Sequence, residues 1–273
     1  MEIDRRMFVG GVLGLIGASP AYGSSPPSSS TAESGGGDIQ PYLGRLQAAL
    51  DDRGGGRFLP STESDLFAAH QDARERQGLS GLNLHDGLSL AARAHAADQC
   101  ERGFFGHVSP EGFGPVDRVG LMARTFVGLP GENVVEAMGY DGVVAAEWFM
   151  KRWMDSPGHR ENVLRPSFTH IGVGVCQKWA RTIAVAVFGQ HFAELDRPLP
   201  LKMAAADLVQ TVADAKTDMA SFDLSVVGRN ERQGPFDPAR PVTAPSGVYT
   251  LRPRFRLGAQ SIVVIGPIVE LSA

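Results

Sequence analysis

Cysteine is close to absent: Cys100 and Cys176 are the only two in 273 residues, which excludes a disulfide-framed miniature fold. A dominant charge is lacking too. The formal net charge of -4 and a pI near 6.0 supply neither an electrostatic footprint for nucleic acid nor a general attraction to acidic membranes. There is no long hydrophobic run. The apolar stretch Val9 to Ala18 is too short to span a bilayer comfortably and is diluted by Gly10, Gly11, Gly14 and Gly17, so the chain is not expected to be a transmembrane protein. Familiar catalytic signatures are missing as well: the sequence shows no His-Glu-x-x-His helix and no Ser-His-Asp order, and neither cysteine is placed as a nucleophile.

What is present begins with length and apolar content. At 273 residues and 43% hydrophobic composition the chain can bury a substantial core, enough for one ordinary domain and something more. Paired Arg5 and Arg6 precede the apolar stretch, and Ala21-Tyr22-Gly23 follows it. This is the pattern of a twin-arginine export signal over residues 1–23, and it predicts a periplasmic or secreted protein. No cysteine follows the signal to take a lipid. Residues 24–37, rich in Ser, Pro and Gly, cannot bury enough apolar surface to order themselves and are expected to be a flexible linker. Outside the cytoplasm Cys100 and Cys176 can bridge, or remain two buried thiols behaving as small apolar residues. Both readings stand.

Residues 38–61 hold Leu43, Leu46, Ala49 and Leu50 at helical spacing before Gly54-Gly55-Gly56, which predicts a short accessory helix. A main domain is expected over residues 62–199. Its first helix would be capped by Ser61 or Thr62 and ended by Gly78, and its second would run from an Asp86 cap to Gly103 with Leu88, Ala92, Ala96 and Cys100 on one face. Pro115 to Ala123 and Val143 to Met154 are two further predicted helices. Ser156 and Pro157 have the chemistry to open another, placing His159 in its first turn. Alternation of Ile171, Val173 and Val175 with Gly172, Gly174 and Cys176, then of Ile183, Val185 and Val187 with Ala184, Ala186 and Phe188, predicts neighbouring strands with one bulky face and one of nearly bare backbone. Helices before and strands after indicate an α+β layered domain. Residues 200–273 are expected to form a small β-rich domain; within it, periodicity leaves 203–220 as a helix or an irregular strand. Arg252, Arg254 and Arg256 alternate along one strand there, as a solvated edge or as a stripe for anionic glycan or lipid.

Several motifs in one order carry a resemblance. Leu82-Asn83-Leu84-His85-Asp86-Gly87-Leu88, Phe105-Gly106-His107-Val108-Ser109-Pro110, Gly131-Glu132-Asn133, Trp153 through Ser156-Pro157-Gly158-His159-Arg160-Glu161-Asn162 and Ile171-Gly172-Val173-Gly174-Val175 resemble the CAP superfamily of cysteine-rich secretory, antigen 5 and pathogenesis-related proteins, in its bacterial branch, over about residues 62–192. The resemblance implies an α-β-α sandwich with a central antiparallel sheet. It also implies a cleft of two histidines and two acids that holds a divalent metal in some members. Carried onto this chain, His107 is the first histidine, Glu132 the first acid and His159 the second histidine. The second acid has no clean match: the family's spacing lands on Ser156, with Glu136, Glu147 and Asp155 as neighbours. Gln71 stands where many relatives have asparagine.

Two imidazoles and one carboxylate from separate loops are a reasonable three-ligand set for Zn²⁺ or another divalent metal, which beside a free carboxylate could activate water. Each residue also has a plain structural role open to it: His107 bonding a turn carbonyl, Glu132 capping amides, His159 completing the Ser156 cap. His85, His95, His170 and His191 read as structural, and Glu147 as a surface partner of Lys151. Three functions follow. The favoured one is an exported binding or envelope-interaction module whose cleft takes a metal, lipid or peptide, with the tail meeting an envelope component. The others are a metal-assisted hydrolase of peptide or envelope polymer, and a structural interaction protein without a ligand.

Overall fold

Small residues at regular positions set how closely the layers of this protein approach. The computed structural model describes residues 39–51, 56–139, 142–213, 219–229, 231–237 and 239–272; the expected export signal and linker lie outside them. In chain order the elements are α1 (Ile39–Leu50), β1 (Arg57–Phe58), α2 (Pro60–Glu75), β2 (Asn83–Leu84), α3 (Asp86–Arg102), α4 (Pro115–Met122), β3 (Phe126–Met138), α5 (Ala146–Asp155), α6 (Pro157–Leu164), β4 (His170–Lys178) and β5 (Arg181–Glu194). The tail adds β6 (Lys202–Ala204), α7 (Ala205–Ala213), β7 (Ser221–Val226), β8 (Arg232–Phe236), β9 (Gly247–Leu257), β10 (Gln260–Val263) and β11 (Ile268–Ser272).

The first sheet runs β1-β4-β5-β3, with β2 parallel to β4 and the other pairings antiparallel. One face packs Ile171, Val173, Val175, Ala184, Ala186 and Phe188 against Leu66 of α2, Phe149 and Trp153 of α5 and Val163 of α6. The opposite face sets Ile183, Val185 and Val187 against Leu88, Ala92 and Ala96 of α3. This is the α-β-α sandwich expected. The bare positions differ from expectation in one respect. Gly172 pairs with Val187 and Gly174 with Val185, so the glycines make a groove along β4 beside a ridge on β5, not a bare face. α3 lies in that groove so closely that a Cβ on Gly172 would stand 2.1 Å from Leu88 and Ser89 backbone atoms; no side chain fits there.

Helix starts also depart from the sequence reading. α2 begins earlier, with Leu59 as its cap and Pro60 in the first turn, and ends at Glu75 ahead of Gly78. Proline there lacks only an amide hydrogen that would have been unpaired. His85, not Asp86, caps α3, its Nδ1 accepting from the Leu88 amide. Ser156 occupies the cap position of α6, but its side chain makes no capping bond; its carbonyl accepts from the Arg160 amide at 2.8 Å.

The tail forms a second sheet, β6-β11-β9-β7-β8, with β10 also paired to β9. Within the ambiguous 203–220 segment, residues 203–213 form the end of β6 and α7. β9 lies between neighbours, so Arg252, Arg254 and Arg256 are not on an edge strand, and Arg254 pairs with Asp223 at 2.9 Å. The tail's core takes in Val127, Leu195 and Leu199 beside Leu208, Phe222, Leu224 and Leu251. Gly128 and Ile265 exchange backbone bonds of 2.8 and 2.9 Å. α1 is buried through Tyr42 and Leu46 among Ala94, Phe113, Leu121 and Ile268, so the accessory helix reaches both α3 and the tail.

Candidate functional site

Glu132 does not stand on a loop. It lies midway along β3, a 13-residue strand opposite Val187 of β5. Pro130 and the glycines at 128 and 131 disguise that strand as turns in the sequence. Its carboxylate is 1% exposed and fully engaged. Oε1 accepts from His107 Nδ1 at 2.8 Å, and Arg118 Nη2 donates to Oε1 and Oε2 at 3.0 and 2.8 Å. His95 Nε2 lies 3.9 Å from Oε1 and bonds the Gly106 carbonyl at 2.8 Å. Burial alone would raise the Glu132 carboxyl, but Arg118, His95 and His107 more than reverse it and hold it at about 2. Burial lowers His95 to about 4, so His95 is neutral beside the pair.

An ionised carboxylate only accepts hydrogen bonds. His107 therefore carries its proton on Nδ1 when neutral, which leaves Nε2 with a lone pair and without a hydrogen bond among the described residues. His159 comes from α6. It is near enough for the His107 charge to act on it, and its pKa is lowered, first by burial and then by His107. The amide of Asn133, next to Glu132 on β3, donates to the His159 carbonyl at 3.0 Å, and Asn162 donates to Asn133 Oδ1 at 2.9 Å. Arg74 of α2 collects the Val163, Arg165 and Phe168 carbonyls, satisfying the C-terminal end of α6. His159 is thus set by the fold on both sides of its helix. Gln71 clasps the Leu82 backbone through two bonds of 2.8 Å, a structural role.

His107 bonds Glu132 directly, and His159 lies within reach of the His107 charge; the three acids proposed as a fourth member do not join them. Glu136 pairs with Arg181. Glu147 lines a concavity with Asp65, Asp72 and Arg76 on the α2–α5 face. Asp155, and not Glu147, is the partner of Lys151, at 2.7 Å. Sequence reasoning missed Arg118, which takes the place of a second acid as the charged neighbour of Glu132. A lone arginine on a short helix gave no signal. Cys100 and Cys176 are both buried, with Cys100 donating to the Cys176 carbonyl at 3.2 Å.

These donors fit a catalytic metal poorly. Both Glu132 oxygens are taken by Arg118, which leaves two imidazoles where catalytic zinc normally has three protein ligands. Among the described residues no three His, Cys, Asp or Glu side chains are arranged to hold a metal ion. A second gathering, His85 and His191 both bonding Glu194 Oε2 at 3.2 and 3.0 Å with the His170 ring tilted against His191 at 4.5 Å, lies at the far end of β5.

Residues 67–192 match the family model described as the cysteine-rich secretory protein family, CAP. The uncharacterized protein YkwD of Bacillus subtilis (strain 168) is 39% identical over 104 residues, 37% of each chain. The uncharacterized membrane protein YlbC of the same organism is 30% identical over 141 residues, 50% of this chain and 39% of its own. The chain spans less than two fifths of the length of these relatives. Among solved structures, an extracellular protein containing an SCP domain from Bacillus anthracis str. Ames is similar at 27% identity and TM-score 0.42, over 48% of this chain and 40% of its own. No helix among the described residues is long and apolar enough to cross a membrane.

Proposed function

We propose, for a chain that carries a CAP domain over residues 67–192, that this domain is an exported binding module whose cleft takes a peptide-like or polymeric envelope ligand through His107 and His159. The observation that carries the reading is the saturation of Glu132 by buried Arg118. A carboxylate held ionised and doubly bonded to a guanidinium is a poor proton acceptor, so it serves to orient His107. His107 Nε2 then faces a ligand as an acceptor, which selects amide N–H or hydroxyl groups at neutral pH. The paired thiols and the tail sheet stay outside this chemistry.

Sedimentation of the protein with insoluble cell-wall polymer tests it, with release of soluble fragments measured in the same tubes. Binding without release, lost in His107→Ala and in His159→Ala, is the expected result. Steady release that His107→Ala abolishes would overturn it in favour of a second reading, which the 2.8 Å Glu132–His107 bond supports: a carboxylate-oriented imidazole is also how a general base for water is arranged.

A further inference from the structure

The Arg118 guanidinium is completely buried, and its hydrogen bonds divide by nitrogen. Nη2 serves Glu132 and the His107 carbonyl, the latter at 2.7 Å. Nη1 has two acceptors, the Phe113 carbonyl at 3.3 Å and the Tyr42 hydroxyl at 3.4 Å. Nε has no partner among the described residues. The Tyr42 ring stacks on Phe113 with centroids 4.6 Å apart, and the side chain is fully buried. Tyr42 belongs to α1, which precedes the family-matched region 67–192.

We infer that Tyr42 is a positioning residue for the cleft: α1, from outside the CAP domain, steadies Arg118, which places the Glu132 carboxylate and through it the tautomer and basicity of His107. Two of the four groups on Arg118's fork lie in the 107–113 loop, and one lies on α1. Without the hydroxyl, Nη1 keeps only the Phe113 carbonyl, and the guanidinium is free to slide off Oε1. A carboxylate less occupied by Arg118 is a better partner for a protonated His107, so the imidazole becomes easier to protonate. The inference rests on the cleft reading only for its functional meaning, since the positioning itself is measurable without a ligand.

The test is a ¹⁵N-histidine NMR titration of the full chain, ligand-free, comparing wild type with Tyr42→Phe and Arg118→Lys. Tyr42→Phe keeps the ring on Phe113 and removes one oxygen atom, so a packing role alone would leave the spectrum unmoved. Wild type is expected to show the Nδ1–H tautomer at His107. In Tyr42→Phe the His107 midpoint rises by roughly half a pH unit, and in Arg118→Lys by more, because lysine has one nitrogen where Arg118 uses Nη2 for Glu132 and Nη1 for Tyr42 and Phe113. A Tyr42→Phe midpoint within about 0.1 unit of wild type while Arg118→Lys moves it would reduce Tyr42 to packing. An unmoved midpoint in both variants would remove the relay altogether. If Arg118→Lys does not fold, Tyr42→Phe decides alone. Failure of cell-wall binding with the midpoint shifted would sink the cleft reading and leave the positioning intact.

Discussion

Replacing Glu132 with glutamine removes a negative charge from a site that is 1% exposed. Arg118 would be left buried, charged and facing a neutral amide. Breaking a buried ion pair from one side typically costs 3–5 kcal/mol, because the surviving charge loses its compensation. Here the loss sits near the lower end, about 3 kcal/mol, since the glutamine oxygen still accepts one bond and Arg118 keeps the His107 and Phe113 carbonyls. Arg118→Met would strand the carboxylate instead. In the double variant neither charge remains, so its loss should fall short of the summed single losses by about 2 kcal/mol. Urea unfolding at pH 7, followed by fluorescence of the fully buried Trp153 and by circular dichroism, measures all three. A Glu132→Gln loss below about 1 kcal/mol, or losses that simply add, would refute the network described above.

Acid should weaken the fold in two steps. His95 and His70 are both held at about 4 by burial, below the ordinary 6.5, so the unfolded chain binds protons first. The stability each contributes, up to roughly 3 kcal/mol, is complete above pH 6.5 and is lost as pH falls toward 4. Glu132, held at about 2, adds a further loss below its ordinary range near 4.5. Urea midpoints that stay level from pH 6.5 to 4 would contradict the burial of both histidines. Gly172→Ala places a methyl group 2.1 Å from α3 backbone atoms and is expected to abolish soluble folded protein, since backbone cannot yield as a side chain end can; near-wild-type melting would show that α3 does not lie in the groove. Denatured, unreduced protein should titrate two thiols from Cys100 and Cys176, and a count of zero would establish a bridge.

The sheet was readable because alternation is a local signal: Ile171 to Cys176 and Ile183 to Phe188 each declare a strand and its two faces within six residues. His107, Glu132 and His159 were readable because their neighbours recur in a known order. β3 was not, since Gly128, Pro130 and Gly131 look like punctuation until His191, Gly189 and Phe188 are seen to pair across them. Gly131 is required there by packing: a Cβ would stand 2.7 Å from the Phe168 ring. Arg118 and Tyr42 were invisible for a different reason. Their partnership spans 76 residues, and no local pattern distinguishes an arginine that enters a core from one that leaves it. The role of β9 failed similarly, because an alternating arginine stripe reads as an edge until a strand appears on either side.

No second acid joins the Glu132 cluster among the described residues, and this sets what the cleft can hold at different pH. Where two carboxylates share a site, added protons are absorbed as neutralisation of negative charge. Glu132 is already balanced by Arg118 and stays ionised down to about pH 2, so protons arriving at the imidazoles add net positive charge to the cleft. His159, whose pKa is lowered by burial and by His107, takes its proton only below 6.5, and a bound anion would draw that proton on. As pH falls below 6.5 the cleft should therefore shift from preferring uncharged donors toward preferring carboxylates, with affinity for a carboxylate-rich cell-wall fragment rising about tenfold, the effect of one proton uptake coupled to binding by about 1.4 kcal/mol. Isothermal titration in buffers of different ionisation enthalpy reads both the affinity and the proton uptake. His159→Asn should flatten the dependence. An affinity for the anionic fragment that falls toward pH 5 would mean that an uncounted carboxylate shares the cleft, and that Arg118 does not stand in for it.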